Sequence, residues 1–151
     1  MSLKHAVFGM GLLIYALSFF LFATGDHKGV MGRLNGLECA YLAIASAVDS
    51  PFSPSSGVYP PLLLYISVLM SGLINPVFLA YVTLACLTRK PQTTRVLGFV
   101  LLSMIPFCWV VFYFLQVYPR EGHVVWVIGM LLVLFSSWKQ ESDPLPSRTA
   151  S

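Results

Sequence analysis

The sequence predicts an all-α integral membrane protein, a four-helix bundle of four spans with a short amphipathic extracytoplasmic helix. Three observations lead there. Of 151 residues, 57% are hydrophobic and only 10% are charged, against about 25% charged in an average soluble domain. The mean hydropathy is +0.78, more apolar surface than a soluble fold of this size could bury. The apolar residues also gather in long uncharged runs, and short polar segments between them carry most of the charge. No polar segment is long enough for a second domain. Residues 1–138 therefore read as one transmembrane domain and residues 139–151 as a disordered cytoplasmic tail.

The first span covers residues 6–23, "AVFGMGLLIYALSFFLFA". It is uncharged and, at about 18 residues, just long enough to cross roughly 30 Å of hydrocarbon. A cleaved signal peptide is the rival, with Ala23-Thr24-Gly25 as a small-x-small site. The run exceeds the roughly 7–15 apolar residues of such peptides, which favours a retained span.

Residues 24–61 are mixed and hold Asp26, His27, Lys28, Arg33, Glu38 and Asp49. Within them "LECAYLAIASAV", residues 37–48, is too short to span. It places Leu37, Tyr41, Ile44 and Val48 on one helical face, with Glu38 and Ser46 off that stripe. This is the amphipathic helix, lying on the membrane or packed against the bundle. "DSPFSPSSG", residues 49–57, breaks the chain with two prolines and a glycine.

The second span covers residues 62–88. At about 27 residues it exceeds the bilayer core if straight. "RKPQTTR", residues 89–95, is a basic loop. The third span covers residues 96–118. "PREGH", residues 119–123, is a polar turn, and the fourth span covers residues 124–138, with Trp126 and Trp138 as interface anchors. The last dozen residues, "QESDPLPSRTAS", are polar and aperiodic.

The basic residues orient the bundle. With both termini in the cytoplasm, the inner side holds Lys4, Arg89, Lys90, Arg95, Lys139 and Arg148, and the outer side only Lys28, Arg33 and Arg120. That agrees with the positive-inside rule. A fifth span over residues 29–48 would bury Arg33 and Glu38, at about 2.5–3.5 kcal/mol each. The expected location is the cell inner membrane, multi-pass.

Inside the second span, "SGLINPVFLAY" sets Asn75 beside Pro76. Pro76 lacks an N–H and crowds the carbonyl of Gly72, so a kink is expected there, and a second at Pro106 in the third span. In lipid the freed carbonyl needs a protein partner. Ser67, Ser71 and Gly72 form a small-residue strip where another helix can approach. Asn75 reads as a residue hydrogen-bonded to a neighbouring helix or, alternatively, as part of a midplane binding site in a broken helix.

No span carries an Asp, Glu, Lys, Arg or His in its interior, which disfavours proton- or ion-coupled transport. Weak metal candidates are His27 and His123, on the outer side with Asp26, Glu38, Asp49 and Glu121. No H-x-x-x-H or H-E-x-x-H pattern supports them, so they read as solvated polar residues. Cys39, Cys86 and Cys108 have no zinc or redox spacing; Cys86 and Cys108 read as small apolar packers. "GRLNG", residues 32–36, is a G-x-x-x-G outside the spans. There is no catalytic motif and no cofactor signature. Without a basic run longer than Arg89-Lys90, nucleic acid is not a partner.

The order "YALSFFL" in a first span, a polar loop with a short apolar helix, "NP" in the second span, a basic loop, and "GHVVWVIGMLL" in the last span resembles small uncharacterised bacterial four-span inner-membrane proteins. The resemblance implies an inner-membrane location and no activity. The expected function is that of a non-catalytic small membrane protein. It would pack against a membrane partner or a second copy in the lipid bilayer, as an accessory, assembly or immunity factor. The alternatives are a small transporter or channel component with a kinked second span, and a membrane enzyme with an extracytoplasmic His/acid site.

Overall fold

The structure is a computed structural model that describes residues 3–26, 34–48, 62–87 and 91–141. These residues are mostly helical, with helices α1 (Leu3–Ser18), α2 (Gly36–Val48), α3 (Leu62–Leu87), α4 (Pro91–Leu115) and α5 (Glu121–Glu141). Three short strands complete them: β1 (Phe22–Asp26), β2 (Leu34–Asn35) and β3 (Val117–Pro119). Three helices are long and apolar enough to cross a membrane, over residues Leu62–Leu87, Gln92–Leu115 and Glu121–Trp138. The apolar helix α1 is shorter, at 16 residues.

The second run, 62–88, and the amphipathic helix, 37–48, agree with α3 and α2 to within a residue. The other boundaries differ. Residues 6–23 are not one helix, because α1 closes at Ser18. The hydroxyl of Ser18 donates to the Tyr15 carbonyl at 2.6 Å. The N–H groups of Phe19, Phe20 and Leu21 then bond carbonyls three residues back, tightening the last turn. The apolar residues that follow are strand β1. A short apolar run satisfies strand and helix equally well, and hydropathy alone cannot separate them.

The third run, 96–118, starts early and stops early. Pro91 opens α4 at the position where a missing N–H costs nothing. Gln116 closes it with φ of 52°, the left-handed conformation that ends helices. The fourth run, 124–138, is too short at both ends. Glu121, Gly122 and His123 already belong to α5, and the helix continues through Lys139–Glu141. The "PREGH" segment therefore ends β3 at Pro119 and starts α5 at Glu121 rather than forming a turn of its own. Residues 49–57, 88–90 and 142–151 lie outside the described residues, as does His27. Pro76 and Pro106 sit inside continuous helices, each at an exposed position.

The strands form one antiparallel sheet in the order β2-β1-β3, a feature absent from the sequence reading. Thr24 pairs with Pro119, Gly25 with Tyr118 and Asp26 with Val117. The sheet ties the end of α1 and the end of α4 to the starts of α2 and α5. At the same end, Asn35 and Glu38 make a capping box. The Glu38 N–H donates to Asn35 Oδ1 at 2.9 Å, and the Asn35 N–H to Glu38 Oε2 at 2.8 Å. The N–H groups of Gly36 and Leu37 donate to the carbonyls of Leu21 and Phe19. The orphan donors of α2 and orphan acceptors near the end of α1 thus satisfy each other.

Helix α1 runs antiparallel along α5. A Cβ on Gly129 would sit 2.6 Å from the Tyr15 backbone nitrogen, and one on Gly11 would sit 2.9 Å from Val133. The two backbones touch because these positions carry no side chain. Helix α3 packs on α4 and on α2. Between the α1–α5 and α3–α4 pairs lies the core, built around Tyr15, Phe78, Tyr81, Leu101, Met130 and Leu134.

Candidate functional site

Asn75 stands where the two helix pairs meet. Its Oδ1 accepts the Tyr15 hydroxyl at 2.9 Å and the Trp126 indole N–H at 3.0 Å. One side chain of α3 thereby fastens α1 and α5 together. A carbonyl oxygen offers two lone pairs, and both are occupied. Further along α3, Tyr81 bonds the hydroxyl of Ser137 on α5. Asn75 is thus a cross-bundle acceptor inside an unbroken helix, the neighbour-bonded role weighed from the sequence.

Beside Asn75, beneath the sheet, is a cavity of about 290 Å³. Each wall is one face of a helix. Cys39, Ala40 and Ala43 come from α2; Val68, Ser71 and Ile74 from α3; Cys108, Val111, Phe112 and Leu115 from α4; His123 and Trp126 from α5. The spacings of three and four residues follow from helical geometry. Ala23 and Thr24 of β1 close the sheet end. Among the described residues, no charged side chain lines the cavity.

His123 is the unexpected member. Its place in "PREGH" suggested a solvated loop residue, yet it is 6% exposed. Its ring stacks on Trp126 at 5.2 Å and meets Phe112 at 4.8 Å and Trp109 at 5.6 Å in T-shaped contacts. Because α5 starts at Glu121 rather than Val124, His123 turns inward one residue before Val124. Its Nε2 is buried with no hydrogen-bond partner among the described residues. An orphaned buried polar atom is costly, about 1–3 kcal/mol, and native interiors avoid it.

The other candidates fall elsewhere. Ser67 is fully buried and its hydroxyl donates to the Leu63 carbonyl at 2.6 Å. Gly72 is buried as well, so two members of the small-residue strip face the chain's own interior. Ser71 faces the cavity, within hydrogen-bonding reach of the Cys108 thiol. Cys86 is exposed on α3, not packed within the bundle, whereas Cys108 is buried as expected. Cys39 contacts Thr24 Oγ1 at 3.6 Å. Burial pushes its thiol up, against the bond from Thr24 and with the nearby Glu38 carboxylate. Among the described residues, no group of three or more His, Cys, Asp or Glu side chains could hold a metal.

The outward faces are apolar. On α2 the stripe of Leu37, Tyr41 and Ile44 points away from the bundle. The opposite face, bearing Ala40 and Ala43, covers the cavity. The sequence placed this helix correctly but gave no sign that its small residues roof a space.

The chain matches no protein-family model, no curated protein and no solved structure. The cavity and the side chains that turn into it are therefore the ground for a functional reading.

Proposed function

We propose that the protein is a four-span inner-membrane protein, with both termini cytoplasmic, that binds a neutral, lipid-soluble small molecule and performs no chemistry on it. The observation that carries the binding role is the cavity between α2, α3, α4 and α5, which is lined by Asn75 and His123 and, among the described residues, by no charged side chain. Sites for small molecules are concave, mainly apolar and furnished with a few placed polar groups. This cavity has that chemistry, and its outer helix α2 presents an apolar stripe suited to a membrane surface.

Four spans are supported by the position of α1. It lies along α5 with backbones in contact, so the two share their depth in the bilayer. The basic residues support the orientation, with Lys4, Arg95 and Lys139 at the end away from the sheet and Arg120 beside it. Contact with a membrane partner or a second copy, the mode expected from the sequence, would have to use lipid-facing surface. Ser67 and Gly72 are already buried within the chain.

The test is purification from native membranes in mild detergent, followed by mass spectrometry of small molecules released on denaturation. The expected result is one neutral species near stoichiometric amount. Ala43→Trp, which puts an indole into the cavity, should abolish its retention. A wild-type protein that carries nothing, or an Ala43→Trp variant that carries the same amount, would overturn the binding role.

A further inference from the structure

We infer that the molecule held in the cavity is a neutral carbonyl compound whose oxygen accepts an N–H of the Asn75 amide. The inference rests on the binding role proposed above and goes on to name the ligand's chemistry.

The orientation of the Asn75 amide follows from its partners. An indole N–H can only donate, so the Asn75 atom 3.0 Å from Trp126 Nε1 is the carbonyl oxygen. The Tyr15 hydroxyl donates to the same oxygen. Nδ2, on the other arm of the amide, is left with its N–H groups to give. Among the described residues it has no hydrogen-bond partner, and it is not one of the sealed polar atoms. Asn75 is half-buried and lines the cavity, so a molecule in that space meets this residue directly. The Nε2 atom of His123, by contrast, is shut in among its aromatic neighbours.

Asn75 stands near the middle of α3. At that depth the hydrocarbon around the protein offers no acceptor, and an unpaired donor is costly. The ester carbonyls of bilayer lipids lie at the interface, roughly 15 Å from the midplane of a core about 30 Å thick. They do not reach Asn75, so a separate molecule has to bring the acceptor. It has to be neutral, because among the described residues no charged side chain lines the cavity to balance an ion. A carbonyl oxygen accepts and does not donate. It brings no hydrogen of its own to a residue whose oxygen already holds two donors. The rest of the molecule has to be apolar and compact, to fit about 290 Å³ among Ile74, Val111, Phe112 and Trp126. The two aromatic side chains favour a ring on the ligand.

The experiment uses the full chain in lipid nanodiscs, with isotope-labelled nitrogen in the asparagine side chains and tryptophan indoles, and follows both by NMR. The only asparagines are Asn35 and Asn75. Asn35 caps α2 and Trp138 lies near the other end of α5; neither lines the cavity, so both serve as internal references. The probes are acetophenone, isopropenylbenzene and benzoate, each corrected for its partition into the lipid. Isopropenylbenzene has the shape of acetophenone with a methylene group in place of the carbonyl oxygen. Occupancy is read at the Trp126 indole and the hydrogen bond at the Asn75 amide.

Acetophenone should saturate the Trp126 shift at a concentration roughly three- to tenfold below that for isopropenylbenzene, the worth of one neutral hydrogen bond. Along the same curve an Asn75 amide proton should move downfield with acetophenone and not with isopropenylbenzene. Benzoate should not saturate. Ala43→Trp should remove every response. Equal saturation by the two neutral probes, or an Asn75 amide that acetophenone does not move downfield, overturns the inference and leaves the cavity as a binding site. Saturation by benzoate overturns the neutral class and the inference with it. No saturable shift with any probe, or shifts that persist in Ala43→Trp, overturn the inference together with the binding role.

Discussion

On one side of the bundle α1 and α5 lie backbone against backbone, with Gly11 and Gly129 leaving no room for a methyl group. On the other side α2, α3 and α4 border a half-open cavity of about 290 Å³, with alanines and cysteines facing it. Small residues serve opposite ends in the two regions. Along the seam they let helices close up, and dispersion contacts take the place that side chains would occupy. Around the cavity they keep helices apart from what they face. Helix association in lipid draws little on the hydrophobic effect, so the close seam is what can carry stability, and the open region is free to bind.

The sharpest way to break the comparison is to add one methyl group at the seam. Gly129→Ala would push a carbon to 2.6 Å from the Tyr15 nitrogen and 2.8 Å from its Cα. Backbone cannot step aside as a flexible side chain can, so the helices must separate. The expected loss is about 2–3 kcal/mol, in the upper range for overpacking, read by denaturant titration in mixed micelles. Gly9→Ala is the control. A Cβ there meets nothing within 4 Å, and alanine is favoured over glycine in a helix by up to about 1 kcal/mol. Equal loss in both variants would remove the seam as the source of stability.

Asn75→Ala tests the bond that joins the two regions. It strands the Tyr15 hydroxyl and the Trp126 N–H in an apolar interior. About 1–2 kcal/mol should be lost, since hydrogen bonds between membrane helices average well below their ideal worth. In the same background Tyr15→Phe should cost little more, because the hydroxyl it removes is already without its acceptor. Full additivity of the two losses would show that they do not act through one bond.

Much of the architecture could be read from the sequence, and the misses share a cause. The 62–87 helix and the 36–48 helix were legible because length and periodicity determine them. The α1 boundary was not. Phe19, Phe20 and Phe22 continue the apolar run, and only pairing with Val117–Pro119 and Leu34–Asn35 makes the stretch after Leu21 a strand. The pairing with Val117–Pro119 joins segments about ninety residues apart. Asn75 was legible as a polar residue in need of a partner, though not which two donors would reach it.

His123 was misread because a polar segment suggested a turn. The start of α5 depends on local caps, and the helix reaches three residues further than hydropathy implies. The strip at Ser67, Ser71 and Gly72 had the right composition for close approach. The glycines at 11 and 129 were the ones used by the backbone, and the second glycine on each helix, Gly9 or Gly122, does not stand at the four-residue spacing that would mark them.

A smaller effect is expected at the roof of the cavity. Asn35→Ala removes one arm of the capping box and leaves the Glu38 N–H without its side-chain acceptor. Loss of such a cap costs about 1 kcal/mol. The change should be local, because α2 is held to the bundle mainly through α3 and the sheet. Hydrogen exchange in the first turn of α2 should quicken several-fold, while α5 amides keep their rates. Faster exchange throughout the bundle would mean that α2 is part of the cooperative core rather than a cover.

The smallest effect sharpens the comparison most. Ala43→Val adds two methyl-sized groups to the cavity side of α2, more carbon than Gly129→Ala adds to the seam. In a filled interior such an addition costs about 1–3 kcal/mol. Here the space exists, and the new methyls gain contacts with Val68 or Val111 across it. The expected change lies within about 0.5 kcal/mol of zero, the usual scale of substitutions that strain nothing. The same denaturant titration measures it. A loss as large as that of Gly129→Ala would mean that the two regions are equally tight, and that the cavity has no room to give a ligand.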